Sequence, residues 1–359
     1  MAVSAEPRTG VPTPGPSLRG RTLPTYALPG FAVAAVLLTL LLWATTGFAG
    51  RAGFVVFALL LFVALQTLVS FGVEGRRQAV NRLFTTLVTV AFLIALTPLV
   101  LIVWYTVKEG AGAISDHFLT HSMFRVDPSE PGGGIYHAIV GTLIQTALAT
   151  VIAAPLGVLA AIYLVEYGGG RRFARAVSFF VDVMTGVPSI VAGLFIYAFW
   201  ILALGFQKSG FAGSLALLIL MLPVIIRSTE EMLKIVPNHL REASYALGVP
   251  KWRTITKVVL PTALAGIVTG VMLAVARIVG ETAPLLITTG VVSSMNTNPF
   301  GGRMQNLAVY AFNSYKTPGV PAQNGYDRAW AAALTLILIV MILNLAARLI
   351  YRRFGTEIR

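Results

Sequence analysis

Charged residues are rare inside the long apolar runs of this sequence, and the exceptions are where chemistry is to be sought. One run reads Ala274-Val275-Ala276-Arg277-Ile278-Val279-Gly280-Glu281-Thr282-Ala283-Pro284-Leu285. Arg277 and Glu281 stand four residues apart, so on a continuous helix they share a face and can pair. Left lone at the centre of a bilayer, each costs about 3 kcal/mol on insertion scales, and such residues usually face a bundle interior or a watery path. Two readings stay open. Either the pair satisfies itself and only fixes helix packing, or Arg277 borders an anion pathway with Glu281 orienting it or acting in gating. The planar fork of an arginine suits an oxyanion because it gives two charge-assisted hydrogen bonds. Asp182 is the other acidic residue close to membrane depth; Arg175 and Arg227 are its expected partners, in a structural ion pair.

Catalytic chemistry finds little support. There is no cysteine, which excludes disulfides and thiolate metal sites, and the four histidines (His117, His121, His137, His239) are scattered. The phosphate-loop pattern G-x-x-x-x-G-K-[ST] does not occur, nor do H-E-x-x-H and G-x-S-x-G. The sequence thus gives no support for an ATPase activity of its own, and no cofactor and no metal are expected in this chain.

The elements that must position these residues follow from composition. Of 359 residues, 56% are apolar and 11% charged, against about 25% charged in an ordinary soluble domain. The chain cannot cover itself with polar residues and reads as an all-α polytopic membrane protein. A span needs roughly 20 mostly apolar residues, and eight stretches qualify, at about 28–48, 53–73, 83–105, 138–165, 178–205, 211–226, 260–286 and 329–351. The period-2 alternation of a transmembrane barrel is missing. The net charge of +13 could point to nucleic acid, but it sorts by side. Loops on one side carry 19 Lys and Arg and those on the other carry 7, with Arg277 alone inside a span. Both termini are thus expected in the cytoplasm, with no nucleic-acid partner.

Organisation along the chain follows. Residues 1–27 form an expected disordered basic tail, since the first 30 residues hold 6 of the 19 prolines. A cleaved signal peptide is the competing reading of this region. Residues 28–75 make a hairpin of two spans, 76–353 the main membrane domain with a cytoplasmic loop at 227–259, and 354–359 a short cytoplasmic tail.

That loop holds Arg241-Glu242-Ala243-Ser244-Tyr245-Ala246-Leu247-Gly248-Val249-Pro250, followed by Val258-Val259-Leu260-Pro261. Helix formers predict a short helix through about 238–247, Gly248 can end it in a left-handed conformation, and Val249-Pro250 turns the chain. On these residues alone, an amphipathic helix resting on lipid headgroups is the plain reading. The order Glu-Ala-Ser, three residues, Gly, nine residues, Val-x-Leu-Pro resembles the EAA loop of ABC importer permeases. Ser244 and Val258 depart mildly from that pattern. The run 276–285 together with 240–248, and further stretches at 161–168, 188–195 and 226–230, is similar to the PstA type of phosphate permease over about 83–353.

The resemblance implies a type I ABC importer transmembrane fold, with six spans matched by the third to eighth here and the first hairpin without a counterpart. It implies a coupling helix that docks on an ATPase, carried by Arg241, Glu242, Ala243, Ser244, Gly248 and Pro250, and a pathway or gating role for Arg277, Glu281 and Thr282. The implied partners are a PstC-like permease, two copies of a PstB-like ATPase, an extracytoplasmic PstS-like phosphate-binding protein and the lipid bilayer of a bacterial cell membrane. The activity implied is ATP-driven import of inorganic phosphate. Sulfate or molybdate import is the alternative within the class, and a proton-coupled anion transporter the alternative outside it.

Overall fold

The computed structural model describes residues 22–24, 26–46 and 50–354. Most of the expected 1–27 tail and residues 355–359 of the C-terminal tail lie outside them. Helices account for nearly all of the described chain, and seven are long and apolar enough to cross a membrane, or eight if one bent pair counts as a span.

Two compact units divide the chain, one up to Ile102 and one from Val103 on. In the first, α1 (Ala27–Thr46) and α2 (Arg51–Glu74) pack as a hairpin, with the Trp43 ring edge-on to Phe54 at 6.5 Å. α3 (Arg76–Gly110) begins in this unit. Its Arg82 grips Glu74 with Nε at 2.6 Å and Nη2 at 2.7 Å, and the same carboxylate accepts from Ser70 Oγ and Leu23 N. Gln66 of α2 donates to Thr86 of α3 at 3.0 Å. Apolar side chains gain little from one another in lipid, so such polar cross-links and close packing hold helices together.

The second unit continues with α4 (Asp116–Thr120) and α5 (Tyr136–Ile162), whose last turn, Tyr163–Tyr167, is a π-helix. α6 (Arg172–Thr185) and α7 (Ser189–Ile196, continuing as a π-helix through Tyr197–Ala203) follow. Then come α8 (Gly210–Ile235), α9 (Asn238–Ala246), α10 (Lys251–Thr254) and a π-turn (Ile255–Val259) leading into α11 (Leu260–Val279). α12 (Ala283–Thr288), α13 (Leu307–Lys316) and α14 (Gln323–Phe354) complete it.

α8 is the hub of this unit. Its Leu217, Met221 and Ile225 are sealed against Ala149 and Ala153 of α5, Ala274 and Ile278 of α11 and Leu285 of α12. α5 makes the close approach possible with a stripe of small residues at every fourth position, Ala149, Ala153, Gly157 and Ala161, all buried. A Cβ on Gly157 would stand 2.6 Å from Ile225 Cγ2, so only glycine fits there.

Three departures from the expected boundaries bear on the site. The fifth span, expected at 178–205, is two helices meeting at 109°, broken at Gly186-Val187-Pro188. Proline cannot continue the backbone ladder and bars its predecessor from helical geometry, so α6 folds away from the direction of α7. The sixth, expected to end near 226, runs to Ile235, because Arg227 and Glu230 pair with each other and no longer break an apolar pattern. Residues 227–259 are accordingly mostly helical and not an open loop. The seventh, expected through 286, stops at Val279 and restarts at Ala283.

Candidate functional site

Two places gather the residues whose types carry chemistry, one at the end of the unit that holds the basic loops and one at the break between α11 and α12. At the basic end, Val236-Pro237 turns the chain out of α8, and nine residues form α9. Gly248 then adopts φ 74°, the left-handed region where a side chain is strained, and Pro250 opens α10 with an extended backbone. Of the residues expected to act here, Glu242, Ala243, Gly248 and Pro250 are exposed, and so are Tyr245, Leu247 and Trp252. Leu247 is 83% exposed, an apolar side chain offered outward at the end of a surface helix.

Ser244 and Arg241 point the other way. Ser244 Oγ lies 2.8 Å from Thr254 Oγ1, and both residues are buried, so the serine that stands where the motif has alanine is matched by a hydroxyl partner ten residues on. Arg241 reaches back across the chain. Its Nη2 donates to Leu233 O at 2.9 Å and Nη1 to Val236 O at 2.6 Å, which satisfies carbonyls left open where α8 ends. Its Nη2 and Nε also donate to Glu166 Oε1, at 2.9 and 3.1 Å. Both side chains are largely shielded, 13% exposed for Arg241 and 6% for Glu166. Glu166 was not among the residues singled out from sequence, and nothing local marks it, since its partner is 75 positions away.

A second ionic knot lies on α8, the helix before α9. Arg227 donates through Nη2 to Asp182 Oδ1 and through Nη1 to Glu230 Oε2, both at 2.5 Å, and Nη2 also meets Ser178 O at 3.0 Å. Asp182 thus stands with Arg227, and the knot ties α6 to α8.

At the break the structure parts the two residues expected to pair. Arg277 lies in the last turn of α11, while Glu281 follows Gly280 beyond the helix end, and the four-residue spacing therefore no longer defines a shared face. No ion pair joins them among the described residues, and no side-chain hydrogen bond holds either one. Arg277 is exposed on this chain, whereas Glu281 and Thr282 are half-buried in the unwound segment. Its depth is fixed by its neighbour, since Ile278 packs in the cluster that holds Met221, near the middle of α8. Arg277 is exposed together with Leu273 and Gly280, and the buried Ala274 and Ile278 flank it. Pro284 follows the break and abuts Gly193 of α7 so closely that a Cβ there would sit 2.6 Å from Pro284 Cα. Irregular backbone at membrane depth is tolerated where protein or a water-filled cavity surrounds it.

Residues 153–359 match the family of binding-protein-dependent transport system inner membrane components. The phosphate transport system permease protein PstA 1 of Mycobacterium tuberculosis is 49% identical over 276 residues, which cover 77% of this chain and 90% of that protein. PstA of Yersinia pestis is 40% identical over 78% of this chain and 92% of its own length. Among solved structures, a bacterial alginate ABC transporter in complex with its alginate-loaded periplasmic protein is similar with a TM-score of 0.53, covering 78% of this chain and 96% of that one at 17% identity. That likeness is one of fold.

Proposed function

Because the chain belongs to the PstA family of binding-protein-dependent transport permeases, it is a multi-pass membrane subunit of an ATP-driven phosphate importer, and we propose that it forms one half of the translocation path. The observation that carries the proposal is Arg277. An arginine level with the middle of the bundle, without an ion pair among the described residues and on the outer face of the folded chain, would be costly against lipid. A second permease subunit covering the stripe Leu273, Arg277 and Gly280 removes that cost and leaves the guanidinium beside a path between the two halves. There its fork can meet phosphate oxygens, and Glu281 and Thr282, in the unwound segment next to it, gate passage.

The rest of the proposed assembly follows from the same reading. The covering subunit is PstC-like, an extracytoplasmic PstS-like protein supplies phosphate, and two PstB-like subunits bind and hydrolyse ATP with magnesium. The basic end faces the cytoplasm, with both termini there. α9, with Glu242, Ala243, Tyr245, Leu247 and Gly248 outward, docks on the ATPase, and closure of the ATPase dimer moves α9 and hence the spans. No bond in phosphate is made or broken by this chain. Its work is a switch of access from one side to the other.

Radiolabelled phosphate uptake at low external phosphate tests the proposal, in cells lacking this chain and in the same cells complemented, with arsenate, sulfate and molybdate as competitors. Restored ATP-dependent uptake that arsenate blocks and sulfate and molybdate do not is the expected result. Complementation that leaves phosphate uptake unchanged would overturn the substrate.

A further inference from the structure

We infer that Glu166 is a positioning residue that passes the movement of α9 into span α5, an inference that rests on α9 being the element that docks on the ATPase. The helices at the basic end act as one piece, since the buried Ser244–Thr254 hydroxyl contact clasps α9 to α10. That piece is fastened at two points to the last turn of α5. Arg241, from α9, holds the Glu166 carboxylate. Lys251, from α10, donates through Nζ to the backbone carbonyl oxygen of Glu166 and sits 5.0 Å above the ring of Tyr167. Arg241 also holds Leu233 O and Val236 O, so one guanidinium gathers the ends of α5 and α8, the two most extensively packed helices, at the start of α9.

The fastened turn, Tyr163–Tyr167, is a π-helix, a form that often marks a place where a helix changes shape in function. A shielded ion pair is poor evidence for stability, because desolvation offsets most of the attraction. What the pair does supply is a fixed geometry between α9 and the α5 terminus. Without it, the Lys251 bond to the Glu166 carbonyl is what still ties the piece to the α5 terminus, so a displacement of α9 reaches α8 in full and α5 only in part.

The experiment uses the complete transporter reconstituted in lipid vesicles, with phosphate moved and ATP hydrolysed measured together. In Glu166→Gln the ATPase subunits are expected to co-purify as usual, while phosphate moved per ATP falls by about tenfold, within the usual range of coupling free energies. The chain has no cysteine of its own, so Glu166→Cys with Arg241→Cys can be bridged by a short bifunctional methanethiosulfonate. Bridging is expected to restore most of the lost ratio in the same protein sample, and reduction to remove it again, which a merely structural role would not produce. A wild-type ratio in Glu166→Gln, or a low ratio in the double variant that bridging leaves unchanged, would overturn the inference while leaving the docking of α9 intact. Leu247→Asp, on the exposed face of α9, separates the underlying reading: normal co-purification and normal phosphate transport in that variant overturn both.

Discussion

At the residue scale, two arginines show how differently the same guanidinium group can be used. Arg241 has every direction of its fork answered by an oxygen of its own chain. Arg277 has none answered among the described residues, at a depth where that is costly. Arg277→Ala should therefore reduce phosphate uptake by about 30-fold or more, since loss of one member of a buried charged contact costs about 2 kcal/mol or more. The complex should still assemble, as judged by co-purification of the other subunits, and undiminished uptake would remove Arg277 from the path. Ser244 gives a prediction of another kind. Ser244→Ala leaves the Thr254 hydroxyl with only a 3.5 Å contact to Pro250 O, so stability should fall by about 1 kcal/mol. That loss reads as a drop of a few degrees in the melting temperature of the purified protein, with the helix content retained.

In the proposed transport cycle, transmission belongs to the scale of elements. α9 ends where it does because Gly248 turns left-handed, and the space around it is open: nothing lies within 4 Å of where a Cβ would be. Gly248→Ala therefore strains only the backbone, by about 1 kcal/mol, whereas Gly248→Trp adds bulk on the exposed side. Stimulation of the ATPase by the loaded binding protein should be modestly lower in the first and lost in the second, and equal effects would mean that the turn matters and the docking face does not. Local signals made this element legible: helix formers, a glycine and a proline at close spacing define α9 and its end to within a residue. The spans were legible for the same reason, since apolar length is a local property. What local signals could not supply is the join between distant segments. Glu166 and Arg241 are 75 positions apart, whereas Asp182 and Arg227, 45 apart, are paired already from sequence because both charges fall at the same edge of the membrane. The parting of Arg277 from Glu281 had a local cue in Gly280 and Pro284, but the spacing of four argued for a continuous helix, and only packing of α12 against α7 and α8 rewards the break.

On the scale of the whole molecule, each of the two units carries polar links of its own among the described residues. Glu74 with Arg82 and Gln66 with Thr86 stay inside the first, whereas the Arg241 and Arg227 knots stay inside the second. Deleting residues 1–75 takes away Glu74 and Gln66, the partners of Arg82 and Thr86 on α3. Because the resemblance to the family begins only near residue 83, phosphate uptake should still stay close to that of the full chain at equal expression, and total loss from an intact complex would place the hairpin in the path. Nearly all of the second unit must be made before its far end closes. Arg328, at the start of α14 and 6% exposed, donates to the carbonyl oxygens of Pro128, Glu130 and Gly132, residues 196 to 200 positions earlier. A ribosome adding about 5–20 residues per second needs roughly 10–40 s to cover that interval. During that time the loop has none of the three bonds that later hold its backbone. A chain interrupted before its last helix thus leaves uncapped peptide carbonyls on show, and membrane proteases that cut unstructured loops would meet the unfinished molecule there first.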